Sequence, residues 1–283
     1  MKHILVTGAT GTIGRQVVAE LLDTGARVRA MTRNPDAAGL PVEVEVVRGD
    51  LTAPETIGRC VDHIEAVFLV WTAPAATVSA AVDQMARQAH RIVYLSAPYK
   101  TAHPLFQQPN PAAALNAEIE RVIEASDLRW TFLRPGMFAA NALHWWAGQI
   151  RGGDVVRWPC GTAPTAPIHE RDIAAVAVRA LLEPGHDGAE YVLTGPESLT
   201  QSEQVTRIGD VIGRPLRYEE LTPDEARREI PFPLPVMNML LNAWTAAIGQ
   251  PALVTSTVAE ILGRPALTFQ EWVTDHVEAF RAH

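Results

Sequence analysis

One short stretch near the start of this chain narrows its possible folds more than any other, the run His3-Ile4-Leu5-Val6-Thr7-Gly8-Ala9-Thr10-Gly11-Thr12-Ile13-Gly14-Arg15. Ile4, Leu5 and Val6 form an apolar run suited to a buried parallel strand, while Ile13, Val17, Val18, Leu21 and Leu22 recur at helical spacing. Between them lie glycines in a Gly-x-x-Gly-x-x-Gly pattern. Gly8 permits a tight turn, Gly11 leaves the backbone open to a phosphate group, and Gly14 lets the helix pack closely on the strand. The helix start then supplies unpaired N–H groups and a partial positive charge. A strand, turn and helix that hold the pyrophosphate of a dinucleotide are the expected result.

Strands and helices continue to alternate downstream. Asp23-Thr24-Gly25 stops the first helix, residues 27–32 resume as a strand, and Val42, Val44 and Val46 alternate with Glu43 and Glu45 as a third. Residues 66–70, 91–95 and 128–133 read as further strands, with helices predicted over 54–60, 77–89 and from Pro111 onward, where Leu115, Ile119, Val122 and Ile123 share a face. This alternation predicts an α/β fold, a Rossmann-type doubly wound parallel sheet. Right-handed crossovers put the strand ends on one edge, so Gly8, Arg33, Asp50, Val70, Ser96 and Pro135 should line one crevice. Arg33 follows the second strand where a carboxylate would bind a ribose hydroxyl; an arginine there suits a 2′-phosphate and points to NADP(H). Asp50 ends the third strand, as an adenine contact or as a cap for the next helix.

After Gly136 the pattern changes. An amphipathic segment over 137–150 leads to a short strand at 155–158, and His169-Glu170-Arg171-Asp172 opens a helix through Leu182. A late strand begins at Tyr191, and helices are predicted over 201–212, 223–229, 237–247, 254–262 and 269–282. The division expected is a cofactor-binding core over 1–150 and a smaller, mainly helical C-terminal substrate lobe over 151–283, with segments around 165–195 packing back on the core.

Composition excludes several classes. Of 283 residues, 47% are hydrophobic and 20% charged, which suits a sizeable buried core. A net charge of −8 without a basic run argues against a nucleic-acid partner. No apolar run approaches ~18 residues and no leader pattern precedes the first strand, so a cytoplasmic protein without a membrane association is expected. Cys60 and Cys160 lack any ligand-like neighbours, which argues against a disulfide framework or a metal site. The oligomeric state leaves no mark in the sequence.

Taken together, Val6-Thr7-Gly8-Ala9-Thr10-Gly11-Thr12-Ile13-Gly14, Arg33, Gly49-Asp50-Leu51 and Thr131-Phe132-Leu133-Arg134-Pro135-Gly136-Met137-Phe138 resemble the NmrA-like atypical short-chain dehydrogenases/reductases. The resemblance extends through Arg171-Asp172-Ile173-Ala174 and Tyr191-Val192-Leu193-Thr194-Gly195-Pro196-Glu197. It implies that Gly8, Thr10, Gly11, Thr12 and Ile13 hold the pyrophosphate, Arg33 the 2′-phosphate, and Asp50 with Leu51 the adenine side. It further implies that Trp71, Thr72, Ser96, Ala97, Pro135, Gly136, Met137 and Phe138 approach the nicotinamide half.

The catalytic half is less regular. The wider superfamily protonates its product with a tyrosine activated by a lysine four residues on. No tyrosine here has that partner; Tyr94 is followed at that spacing by Pro98 and Tyr99 by His103. Tyr99 and Lys100 are neighbours instead, and the position where some relatives carry a lysine or histidine holds Asn116, an amide that orients but donates no proton in acid catalysis. Ser96, Tyr99, Lys100 and Asn116 are the catalytic candidates; His103 and His169 are weaker ones. Trp71, Phe138, Trp145 and Trp146 are candidates for an aromatic substrate wall. The expectation is an NADPH-dependent reductase of a quinone, enone or related aromatic or polyketide-like small molecule. Such acceptors delocalise the charge that hydride brings and need no dedicated acid. The alternatives are a non-catalytic NADP(H)-sensing regulator and a cyclase or dehydratase on the same fold.

Overall fold

The computed structural model describes residues 2–281. In chain order it contains β1 (His3–Thr7), α1 (Thr12–Asp23), β2 (Arg27–Thr32), β3 (Glu45–Arg48), β4 (Ala66–Leu69), α2 (Val78–Ala86), β5 (Arg91–Leu95), α3 (Pro111–Glu124) and β6 (Arg129–Pro135). There follow α4 (Asn141–Trp145), α5 (Ala147–Gly152), β7 (Val155–Pro159), β8 (Pro164–Thr165), α6 (Glu170–Leu182), β9 (Ala189–Leu193) and β10 (Leu199–Thr200). The chain ends with α7 (Gln201–Ile212), β11 (Arg217–Leu221), α8 (Pro223–Glu229), α9 (Leu234–Ala247), α10 (Thr257–Leu262) and α11 (Phe269–Asp275).

Seven strands form a sheet in the order β3-β2-β1-β4-β5-β6-β9, and every neighbouring pair is parallel. The order reverses between β1 and β4, the switch point where doubly wound sheets open a crevice. A side chain pins that junction: Thr7 Oγ1 accepts from the Val70 amide at 2.7 Å and donates to the Val70 carbonyl at 3.1 Å. Central strands are apolar because both faces are covered. One face packs on α1 and α6 through Ile13, Val17, Ile173 and Ala177, the other on α2 and α3 through Val82, Met85, Ile119 and Ile123.

A third apolar cluster lies apart from the sheet, built from α4, α5, β7, α7, α9 and α11. At its centre Trp145 stacks on Trp158 with centroids 5.7 Å apart and meets Trp244 edge-on at 5.4 Å, while Trp146 meets Trp158 edge-on at 6.4 Å. The buried indole N–H groups of Trp146, Trp158 and Trp244 have no oxygen or nitrogen acceptor. Edge-on packing leaves them neighbouring ring faces as weak partners.

Some elements differ from their sequence reading. The third strand is Glu45–Arg48, displaced from the alternating valines; Val44 closes a turn onto the Pro41 carbonyl and Val42 is 94% exposed. Two single-turn 3-10 segments, Pro54–Thr56 and Gly58–Cys60, replace a helix over 54–60. The segment 137–150 is not one helix. Met137 and Ala139 bond to the Ile168 backbone, so helical structure starts only at Asn141 and breaks again at Trp146. The last predicted helix stops at Asp275 and continues as a 3-10 turn, Val277–Ala279; residues 282 and 283 lie outside the described residues.

Candidate active site

Because all seven strands are parallel, their carboxyl ends share one edge, and the loops after β1, β2, β3, β4, β5 and β6 meet there. Gly8 sits at φ +60°, and a Cβ on it would lie 2.9 Å from Val70 Cβ. At Gly14 a Cβ would lie 2.1 Å from the Gly8 carbonyl oxygen, so the helix can approach the turn only without one. Gly11 is the N-cap of α1 and no side chain caps this helix; its first turn also carries no acidic residue. Thr10, Gly11 and Thr12 are exposed. An uncapped, unblocked helix start of this kind fits a pyrophosphate.

The residues expected on the adenosine side follow β2 and β3. Arg33 is exposed, forms no ion pair with any described residue, and its carbonyl accepts from Arg48 Nε at 3.2 Å. A second guanidinium, which the sequence reading missed, therefore stands beside Arg33. Its signal is the β2–β3 register, which sets Thr32 opposite Arg48. Asp50 is engaged in its own turn: Oδ1 accepts from the Thr52 amide at 2.9 Å, and this bond outweighs burial to hold its carboxyl below the usual range. Leu51 points inward, 5% exposed, against Met31, Ile57 and Cys60.

Beyond the switch point a 250 Å³ cavity opens between the sheet edge and α9. Ser96, Ala97 and Tyr99 line it from the loop after β5, Pro135, Gly136, Met137 and Phe138 from the loop after β6, and Met239, Leu240 and Trp244 from α9. Trp71 and Thr72 are not part of this lining: Trp71 Nε1 donates to the Ala73 carbonyl at 2.6 Å and Thr72 is exposed. Nor are Trp145 and Trp146, which sit in the aromatic cluster of the helical lobe, Trp146 fully buried.

Behind the Ser96–Tyr99 wall lies a carboxylate that the sequence reading missed. Glu120, on α3, is 1% exposed. Its Oε1 accepts from Ser96 Oγ at 2.6 Å and from Arg134 Nε at 3.0 Å; its Oε2 accepts from Tyr99 Oη at 2.5 Å and Arg134 Nη2 at 2.7 Å. Lys100 Nζ stands 3.2 Å from Oε2 and 3.6 Å from Glu190 Oε1, and Arg134 Nη1 also donates to Glu190. Burial alone would raise the Glu120 pKa, but these donors, Arg134 foremost, hold it below the usual carboxylate range. Tyr99 moves the other way: burial, then the bond to Glu120 and its charge, push the phenol well above its ordinary value. The sequence signal for Glu120 is its place on a helix face beside Ile119 and Ile123.

The remaining candidates are occupied elsewhere. Asn116 Oδ1 accepts from the Tyr94 phenol at 2.6 Å and its Nδ2 donates to the Ala112 carbonyl at 2.8 Å. His103 Nδ1 accepts from the Leu105 amide and its Nε2 faces the Pro251 carbonyl at 3.0 Å, while His169 Nδ1 caps α6 by accepting from the Arg171 amide. Among the described residues no cluster of His, Cys, Asp and Glu could hold a metal, and no helix is long and apolar enough to cross a membrane.

A glycine turn at a switch point, an exposed arginine after β2 and a lined cavity beyond fit a nicotinamide-dinucleotide protein of the doubly wound type. Residues 8–184 match the family model described as NAD(P)H-binding. The chain belongs to that family, within the NmrA-like atypical short-chain dehydrogenases/reductases. It is similar to a (4-alkanoyl-5-oxo-2,5-dihydrofuran-3-yl)methyl phosphate reductase of Streptomyces griseus, with 39% identity covering 98% of this chain and 99% of that one. An NAD(P)H azoreductase of Xenophilus azovorans is 32% identical, with 99% of each chain covered. In fold, the chain matches an NADPH-dependent quinone oxidoreductase from Escherichia coli with a TM-score of 0.80 at 23% identity, covering 97% of this chain and 99% of that one.

Proposed function

We propose that this chain is an NADPH-dependent oxidoreductase that reduces a quinone, an enone or a related conjugated aromatic small molecule. The observation that carries the reading is the cavity itself, which continues the cofactor crevice and is walled by Met137, Phe138, Met239, Leu240 and Trp244 on its apolar sides. The names of the relatives above, a reductase of an alkanoyl-dihydrofuranone methyl phosphate, an azoreductase and a quinone oxidoreductase, support reduction of a conjugated acceptor, the first of them an anionic one.

Amides at Gly11, Thr12 and Ile13 would hold the pyrophosphate, and Arg33 with Arg48 the 2′-phosphate. When bound, NADPH supplies the hydride. The chain's own part is to exclude water with the α9 wall and to align a flat acceptor against the Ser96–Phe138 side. Tyr99 is held protonated by Glu120 and lacks the lysine contact that lowers a phenol's pKa, since Lys100 pairs with the carboxylates. Simple ketones, whose product alkoxide needs a strong acid, fit this site poorly; conjugated acceptors fit it well. Anaerobic NADPH oxidation with 2-methyl-1,4-naphthoquinone and an enone panel tests the reading. Turnover with these acceptors is expected. Saturable NADPH binding without oxidation of any acceptor would favour a cofactor-sensing regulator, the reading that the absence of a free proton donor at Tyr99 also suits.

A further inference from the structure

We propose that the cavity selects an uncharged conjugated carbonyl compound carrying its own hydrogen-bond donor, a hydroxyl or N–H group, which the lone pairs of Ser96 Oγ and Tyr99 Oη receive. This inference rests on the reductase reading and names a substrate class that departs from the phosphate ester in the name of the 39% identical relative.

An ionised carboxylate only accepts hydrogen bonds, and a hydroxyl has a single hydrogen to give. Glu120 is ionised, gripped through both oxygens by Arg134. The contacts of Ser96 Oγ at 2.6 Å and Tyr99 Oη at 2.5 Å with it are therefore donations from the hydroxyls. Each spends its only hydrogen there. What Ser96 and Tyr99 have left for a bound molecule is acceptor capacity. To donate to a substrate carbonyl instead, either would abandon a charge-assisted bond, which is among the stronger bonds in a protein.

Charge counting gives the second half. Among the described residues, none lining the cavity carries a charge. The two cations nearest its polar wall are committed: Arg134, whose guanidinium lies 5.5 Å from the Tyr99 ring centre, and Lys100, at 5.6 Å, are balanced by Glu120 and Glu190. An anionic group brought in here would lose water and meet no free cation. The remaining polar lining is amide: Gln108 Nε2 gives one of its two hydrogens to the Pro104 carbonyl, and Asn110 Oδ1 accepts from the Ala112 amide, which leaves Asn110 Nδ2 and the second Gln108 Nε2 hydrogen as neutral donors for an acceptor carbonyl.

The test compares three naphthoquinones that differ at one substituent, 2-hydroxymethyl, 2-methoxymethyl and 2-methyl, together with the anionic 2-sulfonate. Wild-type protein should show a KM for the hydroxymethyl compound about tenfold below that of its ether. The sulfonate should be poorer than the methyl compound by about tenfold or more. In Tyr99→Phe and Ser96→Ala the advantage of the hydroxyl, read as the ratio of the two KM values within each variant, should shrink to about twofold. Equal KM values for hydroxyl and ether in wild type, or a preference that survives in both variants, would overturn the inference. So would a loss of NADPH affinity in the variants without any change in that preference, because the lone pairs would then face the cofactor. A preferred sulfonate would overturn the charge argument. If 2-methyl-1,4-naphthoquinone supports no NADPH oxidation, the reductase reading fails for quinones. Quenching of tryptophan fluorescence in NADP+-loaded protein by the same four compounds then decides the selectivity on binding alone.

Discussion

At the scale of single residues, Glu120 organises the polar half of the site. It joins α3 to β6 through Arg134, fixes both hydroxyls of the cavity wall, and shares Lys100 with Glu190 on β9. Removing one member of a buried ion pair costs about 3–5 kcal/mol, because the partner charge stays behind. Glu120→Gln should fall at the lower end of that range, since Glu190 still neutralises part of the Arg134 charge. The pH dependence has a definite sign. The folded pKa of Glu120 lies below its ordinary value, so its contribution is present above about pH 4.3 and is lost as pH falls through the folded value. Calorimetric melts of wild type and Glu120→Gln should therefore differ most at neutral pH and converge under acid conditions. A constant gap across that range would mean that the charge contributes nothing. The sequence singles out Ser96, Tyr99 and Lys100 as candidates but not the group that ties them together. Their grouping depends on a helix face and a strand end, Glu120 and Arg134, meeting in space, and a helical glutamate beside apolar neighbours looks locally like any surface residue.

At the scale of elements, legibility followed how local the determinants are. β1, β5, α7 and α8 carry their signals within themselves, as apolar runs or as the capping boxes of Thr200 with Glu203 and Thr222 with Glu225. β3 does not: pairing from Arg29↔Glu45 to Thr32↔Arg48 decides where it begins, and the alternating valines before it serve a turn. The break at Trp146 likewise answers to the aromatic cluster it fills. The contact of α6 with α11 is another long-range device. The Glu170 carboxylate, 2% exposed, receives Trp272 Nε1 at 2.9 Å and faces His276 Nε2 at 2.9 Å, while His276 Nδ1 bonds to the Trp272 carbonyl at 2.8 Å. Both ring nitrogens of His276 face acceptors, an arrangement satisfied by the doubly protonated ring. Burial lowers its pKa, but Glu170 more than compensates and the net shift is upward. A raised histidine pKa stabilises the fold fully below its unfolded value of about 6.5, and the effect disappears as pH rises through the folded value. His276→Gln should therefore lower Tm more at pH 6 than at pH 9. Melting curves of both proteins at the two pH values check this, and equal deficits would remove the ion pair from the account of how α11 is held.

On the scale of the whole molecule, a chain with net charge −8 must hold a dinucleotide that is itself strongly anionic, so local fields have to oppose the global one. The sheet edge offers the uncapped start of α1 and two exposed guanidinium groups, Arg33 and Arg48, on neighbouring strand ends. With the 2′-phosphate placed as proposed, cofactor preference belongs to the edge of the sheet rather than to one residue. Arg33→Ala should weaken NADPH binding by about ten- to a hundredfold, the range of one or two charge-assisted bonds, and leave NADH binding within about twofold. Arg48→Ala should have a smaller effect of the same kind, since Arg48 also positions the Arg33 backbone through its Nε bond. Ligand linkage gives a second readout: at a hundred times the wild-type Kd, NADPH adds about 2.7 kcal/mol to folding stability, and Arg33→Ala should forfeit about half of that or more at the same concentration. Raised salt should erode the NADPH preference of wild type more than that of Arg33→Ala, because exposed guanidinium–phosphate contacts are screened. Isothermal titration with both cofactors at two salt concentrations decides the matter. If the variants keep the wild-type ratio of NADPH to NADH affinity, neither arginine receives the 2′-phosphate and the origin of the preference must lie elsewhere along the crevice.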